Sequence, residues 1–245
     1  MSVPTSNASL AVPAKSPDGS KPAPGPMSRA NLPVRVFRLV LRVVFRLVFR
    51  VKVLGLEKVP NSPVIVCANH LGWTDPFLVL LFLPLEPRIY VLGEKEVRRI
   101  SWFRRVIIDA LRIMVPLDRG KPLQALRTME GVLQRGGSLL IFPEGRLGEE
   151  EGQLWELQEG AAHLSQKSGV PLLPVGLTGT SKLWLRRGLS VRIGDPIAPQ
   201  EFTGDLRTRL HAMTAELEVS MRSLLPGDHE RARLRLLERW LTKLL

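Results

Sequence analysis

Residues 63–76 read PVIVCANHLGWTDP and contain the first clear strand, turn and helix start of the chain. The run 63–68 is short, apolar and rich in β-branched residues, which predicts a buried strand. A polar Asn-His pair follows it directly. Asp75 precedes Pro76, and proline suits the first position of a helix, so a helix is predicted through residues 77–83. The stretch therefore indicates a strand that leads through a polar turn into a helix.

The same alternation of strands and helical stretches continues to about residue 200. Further strand candidates are Arg88–Leu92, Ser138–Phe142, Val170–Leu177 and Leu189–Ile193. Residues 121–134 and 154–168 carry apolar side chains at helical spacing and end at glycines. Alternating strands and helices favour an α/β domain with a mixed, largely parallel sheet flanked by helices. In such sheets, ligand sites gather at the carboxyl ends of the strands.

His70 and Asp75 are candidate catalytic residues because they bracket the turn that follows the first strand. An imidazole is mostly neutral at pH 7 and is able to accept a proton, while a neighbouring carboxylate fixes its tautomer and stabilises the imidazolium. The pair is therefore typical of a general base. The alternative interpretation is an Asp that caps the following helix beside an unrelated histidine.

A second polar turn, Phe142-Pro-Glu-Gly-Arg146, follows the strand candidate 138–142. Proline and glycine on either side of Glu144 end the strand and shape a turn that presents a carboxylate, backbone N–H groups and a guanidinium. A phosphate is the ligand that Arg146 suits best. Read alone, the segment is also consistent with an ordinary surface turn.

Composition restricts the partners and the chemistry. The chain has 245 residues, of which 44% are hydrophobic, and its formal charge of +12 favours phosphates, nucleic acid or an anionic membrane as partners. Its single cysteine, Cys67, excludes a disulfide framework and a cysteine-rich zinc site, and we expect it to be buried in a strand.

Residues 1–30 are rich in Pro and Ser, which predicts a disordered tail. This stretch lacks the apolar run of a secretory signal.

Residues 31–53 predict a basic amphipathic helix. Five arginines recur there at steps of three or four residues: Arg35, Arg38, Arg42, Arg46 and Arg50. Val, Leu and Phe fill the rest of the helix circumference. Such a helix is long enough to cross a bilayer, but each arginine at mid-membrane costs about 2.5–3.5 kcal/mol. We expect it to lie in the membrane interface, with Val and Phe in the acyl region and the arginines on lipid phosphates. Packing on the domain is the alternative, and the valines also permit a strand.

With these motifs in place, the chain resembles the glycerolipid acyltransferase family, most closely its 1-acyl-sn-glycerol-3-phosphate acyltransferase branch. Four blocks occur in the family's order: Asn69–Asp75, the stretch from Lys95-Glu96 to Val115–Arg119, Phe142–Gly145, and Val170–Val175. The similarity covers about residues 54–197. It implies the family's α/β fold and transfer of a fatty acyl group from acyl-CoA or acyl carrier protein to a lipid hydroxyl, without a metal or a tightly bound cofactor.

The resemblance also implies roles for individual residues. His70 would take the proton from the acceptor hydroxyl, which attacks the thioester directly, while Asp75 holds His70. Arg119 and the Glu144-Gly145 turn correspond to positions that hold the acceptor's phosphate, and Lys95 to a lysine that assists the carbonyl oxygen. The expected partners are lysophospholipid, anionic head groups and the acyl donor, at the cytoplasmic face of a membrane, and no nucleic acid.

The sequence departs from the family pattern in its third block. Many relatives continue this block as Gly-Thr-Arg, whereas Arg146 follows Gly145 directly, and an acidic run, residues 149–151, replaces basic or polar residues. Transfer to another lysolipid or to an amino-lipid is therefore an open alternative, as is a catalytically inactive membrane-binding module. We expect an acyltransferase domain over residues 54–200 and a C-terminal helical segment over 201–245.

Overall fold

The computed structural model describes residues 30–94, 114–117 and 122–225. Four predicted features lie partly or wholly outside these ranges: the tail before residue 30, Lys95, Arg119 and the part of the C-terminal segment after residue 225. They stay predictions.

One mixed sheet forms the centre of the described chain. Its seven strands are β1 (Arg50–Leu54), β2 (Ile65–Ala68), β3 (Ile89–Glu94), β4 (Met114–Leu117), β5 (Ser138–Ile141), β6 (Leu172–Thr178) and β7 (Gly188–Ile193). The strand order is β1-β7-β6-β2-β5-β3-β4. Every neighbouring pair is parallel except β6 and β7, which are antiparallel. The predicted mixed, largely parallel sheet is confirmed, and β2 lies at its centre.

Helices cover both faces of this sheet. The described helices are α1 (Leu32–Val48), α2 (Asp75–Phe82), α3 (Pro122–Gln134), α4 (Gly160–Ser168) and α5 (Leu206–Ser223). Side chains of a strand alternate between faces, so Val66 and Ala68 join the core formed with α1 and α2, whereas Ile65 and Cys67 join the core formed with α3, α4 and α5. Cys67 is fully buried, as predicted, and burial raises the pKa of its thiol.

Strand β1 corrects the predicted helix over residues 31–53. α1 ends at Val48, and Arg50–Leu54 pairs in parallel with β7 along the edge of the sheet. The arginine spacing extends the helical pattern to Arg50, but Val51 and Val53 alternate with charged residues at a period of two, which suits a half-buried edge strand. Strand β4 was not predicted, because Pro116 interrupts its short apolar run and proline argues against the interior of a strand.

The orientation of α1 differs from the expected one. Phe45 and Phe49 are buried in the core, and Phe37 packs against it, so the phenylalanines do not face outward. The outward face is a stripe of aliphatic residues between 45% and 73% exposed: Leu32, Val36, Leu39, Val40, Val43, Val44 and Leu47. Within the described ranges, no helix combines the length and the apolar character that a membrane crossing requires.

Candidate active site

The carboxylate of Asp75 organises the turn between β2 and α2. Its Oδ2 accepts hydrogen bonds from the backbone N–H of Leu71 at 2.5 Å and of Gly72 at 2.7 Å, and lies 2.8 Å from Nδ1 of His70. Asp75 is fully buried, whereas the His70 side chain is 26% exposed. Asp75 is the first residue of α2 and accepts no N–H of that helix, so the alternative interpretation as a helix cap is wrong. The same oxygen instead holds the turn before the helix and contacts the imidazole.

Two further contacts hold His70, one through its ring and one through its backbone. The ring stacks on Phe142 with a centroid separation of 4.1 Å and an interplanar angle of 15°. The backbone carbonyl of His70 accepts the N–H of Gly148 at 2.6 Å. Since Nδ1 contacts a carboxylate acceptor, the proton of the neutral ring belongs on Nδ1, and Nε2 is the nitrogen that is able to take another proton.

Glu144 is a buried brace between three segments of the chain. Its Oε1 accepts the backbone N–H of His70 at 3.1 Å, its Oε2 accepts that of Trp155 at 3.0 Å, and the residue is only 4% exposed. Gly145 next to it has φ 67°, a left-handed conformation that favours glycine, and a Cβ there would lie 2.5 Å from Nε2 of Gln158. Both carboxylate oxygens are thus engaged with backbone amides.

Arg146 follows this brace at the surface. Its guanidinium carbon lies 3.6 Å from the centroid of the Trp155 ring, a cation–π contact that orients the charge. It lines a cleft of about 700 Å³ between the Glu144 turn and α5, where Glu156, Glu159 and His211 also contribute. The structure therefore brings Glu144, Gly145 and Arg146 together at this cleft, which Glu218 also lines. Of the three, Glu144 contacts His70, and His70 is not among the residues that line the cleft.

Two supporting residues were missed by sequence reasoning. The amide of Asn69, fully buried, donates to the carbonyl oxygen of Leu177 at 2.9 Å and accepts that residue's N–H at 2.7 Å. The carboxylate of Glu151 accepts the N–H groups of Gly179 and Ser181, both at 2.9 Å. All three partner residues lie in or after β6, and a single sequence carries no signal for contacts between residues so far apart along the chain.

Among the described residues, no three His, Cys, Asp or Glu side chains lie close enough together to hold a metal ion.

Comparison with known proteins gives one consistent result. The family model described as Acyltransferase matches residues 50–178. The 1-acyl-sn-glycerol-3-phosphate acyltransferase of Saccharomyces cerevisiae is 32% identical over 170 residues, 63% of this chain and 54% of that protein. The enzyme of the same name from Pseudomonas aeruginosa is 29% identical over 144 residues, 57% of this chain and 53% of that protein. The chain thus spans about half the length of these curated relatives.

A solved structure shares the fold. The crystal structure of the 1-acyl-sn-glycerophosphate acyltransferase from Thermotoga maritima matches with a TM-score of 0.64 and covers 81% of both chains, at 24% sequence identity.

The brace at Glu144 predicts a specific effect of Glu144→Gln. Its two partners are both N–H donors, so the amide nitrogen of Gln would face one of them, and one buried hydrogen bond to a charged acceptor is lost. We expect the free energy of unfolding to fall by about 2–3 kcal/mol, measured by equilibrium urea denaturation. Glu156→Gln, an exposed neighbour, is the control and should change it by less than about 0.5 kcal/mol. Equal effects of the two substitutions would contradict the bracing role.

Proposed function

Because the chain belongs to the Acyltransferase family, we propose that it moves a fatty acyl group from a thioester, acyl-CoA or acyl carrier protein, to the free hydroxyl of a lysophospholipid. The proposed acceptor is 1-acyl-sn-glycerol-3-phosphate and the product phosphatidic acid, in keeping with the names of the relatives. The observation that carries the proposal is the 2.8 Å contact between a partly exposed His70 ring and the buried Asp75 carboxylate.

The reaction needs one general base whose nitrogen is accessible to the acceptor hydroxyl. Nε2 of His70 takes the proton of the acceptor hydroxyl while the hydroxyl oxygen attacks the thioester carbonyl carbon. The tetrahedral intermediate then expels the sulfur, the C–S bond breaks, and the same proton passes to the departing thiolate. Asp75 holds the ring and stabilises the imidazolium that exists between the two transfers. No covalent enzyme intermediate is required.

Recognition of the acceptor is assigned to three cationic side chains and to the turn that Glu144 and Gly145 form. Arg146 lines the cleft next to the Glu144-Gly145 turn, and its stacking on Trp155 pre-orients a planar donor that matches phosphate geometry. We propose that Arg119 contributes a second cation and that Lys95 stabilises the developing oxyanion. Glu144 then acts by holding the turn, since both of its oxygens accept backbone N–H groups.

Membrane contact is assigned to the outward face of α1. Its seven aliphatic side chains form a continuous stripe, from Leu32 to Leu47, that no described part of the chain covers. A half-exposed apolar helix face flanked by arginines suits the acyl boundary of a lipid surface. We propose that α1 lies in the plane of the cytoplasmic face of a membrane, where it brings the lipid acceptor to the site.

The base assignment is tested with His70→Ala and Asp75→Asn. Purified protein, acyl-CoA or acyl carrier protein and lysophosphatidic acid should release free thiol, and loss of the base should lower kcat by about 10²- to 10⁴-fold. Asp75→Asn should also lower kcat, because the amide no longer stabilises the imidazolium. His163→Ala, on α4, is the matched control and should keep the wild-type rate. Equal rates for wild type and His70→Ala would refute the assignment.

Phosphate recognition is tested with Arg146→Ala and Arg119→Ala. Loss of a charge-assisted contact worth about 1.5–3 kcal/mol should raise KM for lysophosphatidic acid by about 10- to 100-fold and leave KM for monoacylglycerol nearly unchanged. Arg207→Ala, an exposed arginine at the start of α5, serves as the control. Equal losses for the two acceptors would argue against phosphate and for another lysolipid or an amino-lipid, which a panel of acceptors would identify.

The membrane assignment is tested by placing polar side chains in the stripe of α1. The double variant Leu39→Gln, Val43→Gln should move much of the protein from the pellet to the supernatant when it is sedimented with vesicles of phosphatidylglycerol and phosphatidylcholine. Val219→Gln changes an aliphatic side chain that is 69% exposed on α5 and should leave sedimentation unchanged. Unchanged sedimentation of the α1 variant would reject the assignment.

A further inference from the structure

Helix α2 is short, and its end is incomplete. It has eight residues, about 12 Å, and its first residue is Asp75. The last carbonyl groups of any helix lack partners within the helix. In α2 the sequence itself removes one donor. The carbonyl of Leu80 would pair with the N–H of residue 84, but residue 84 is proline and has no N–H.

Arg38 of α1 supplies the missing donors. Its Nε donates to the carbonyl oxygen of Leu80 at 2.8 Å, and its Nη2 donates to that of Leu83. A cation at the carbonyl end of a helix also complements the helix dipole. The guanidinium of Arg38 therefore caps the C-terminal end of α2 from the neighbouring helix α1.

The placement of this cation is costly, which argues that its contacts matter. Loss of hydration, together with the positive charge of Arg42, lowers the pKa of Arg38 to about 10. It remains protonated at neutral pH, and buried cations persist where carbonyl or carboxylate oxygens satisfy them. Arg42 and Arg46 also contact the end of α2, since their guanidinium carbons lie 5.3 and 5.6 Å from the centroid of the Phe82 ring.

Helix α2 is well suited to carry a displacement from one end to the other. Seven of its eight residues are buried, all except Pro76, and the helix packs in the core between α1 and the sheet. Close-packed interiors transmit shifts because they leave little free space. A movement of α1 against the last turn of α2 is thereby passed to Asp75, whose single oxygen Oδ2 holds both the turn and the His70 ring.

We propose that Arg38 is a positioning residue for the catalytic pair: by capping α2 from α1, it sets the location of Asp75 and couples the seating of α1 on lipid to the orientation of His70. This inference rests on the proposed function of the pair and of α1. It assigns Arg38 a role inside the protein, in place of the contact with lipid phosphate that the sequence alone suggests.

The decisive variant is Arg38→Met, which keeps the apolar stem that packs between the helices and removes both donors. Assayed with saturating vesicles well below the melting temperature, it should lower kcat by about 10- to 100-fold, with KM for both substrates nearly unchanged. Arg38→Lys retains a cation with rotatable donors and should recover part of that loss. Arg35→Ala is the matched control, since Arg35 donates to the carbonyl of Ala30 and not to α2, and its kcat should stay within about twofold of wild type.

A spectroscopic arm separates this proposal from the proposed function. In the full-length chain, the low-field proton resonance of His70 Nδ1–H, identified by its loss in His70→Ala, should shift or broaden in Arg38→Met and not in Arg35→Ala. An unchanged resonance with wild-type kcat in Arg38→Met overturns the proposal, and so do equal losses in Arg35→Ala. Absence of acyl transfer in the wild type would refute the proposed function, while the resonance would still decide the role of Arg38.

Discussion

One buried oxygen, Oδ2 of Asp75, constrains the site more than any other atom. Removing a carboxylate from water costs several kcal/mol unless donors replace the lost hydration, and here three donors lie within 2.8 Å of that oxygen. Two of the three are backbone N–H groups of Leu71 and Gly72, so the charge fixes the chain as well as the ring. The turn after β2 has this shape because its N–H groups satisfy this oxygen, and the imidazole is held by the same oxygen. The second oxygen, Oδ1, is buried without a hydrogen-bond partner.

The rest of the fold keeps this turn in register with its neighbours. β2 lies between β5 and β6, and a residue that contacts the turn follows β5, while another lies near the end of β6. From the β5 side, Glu144 accepts the N–H of His70, and on the β6 side, Leu177 exchanges two hydrogen bonds with Asn69. The site thus forms where the carboxyl ends of adjacent parallel strands converge, as expected for open α/β sheets. Glu151 adds hydrogen bonds to the loop after β6, where it accepts the N–H groups of Gly179 and Ser181.

Features that depend on nearby residues were predictable, and those that depend on distant contacts were not. The pairing of His70 with Asp75 follows from five positions of separation and a helix start, both visible in the sequence. The bracing role of Glu144 depends on a partner 74 positions away. The edge strand at Arg50–Leu54 was read as helix because the arginine period continued into it, while pairing with β7 decided its conformation. Tertiary context overrides local pattern most easily in such short segments.

The inward use of the arginines changes what holds α1 to a lipid surface. Arg38 is committed to the carbonyls of α2, and Arg42 and Arg46 lie over Phe82, so these contacts reduce the positive charge that α1 offers to head groups. Arg35, whose side chain is 51% exposed, keeps its charge at the surface. An arginine near an anionic surface contributes about 1 kcal/mol, whereas full burial of one Leu or Val side chain contributes about 1.5–3 kcal/mol. Seven aliphatic side chains that are each about half exposed therefore outweigh the charges that remain. In this arrangement the apolar stripe supplies the attraction to lipid, and the arginines link that stripe to the helix that carries Asp75.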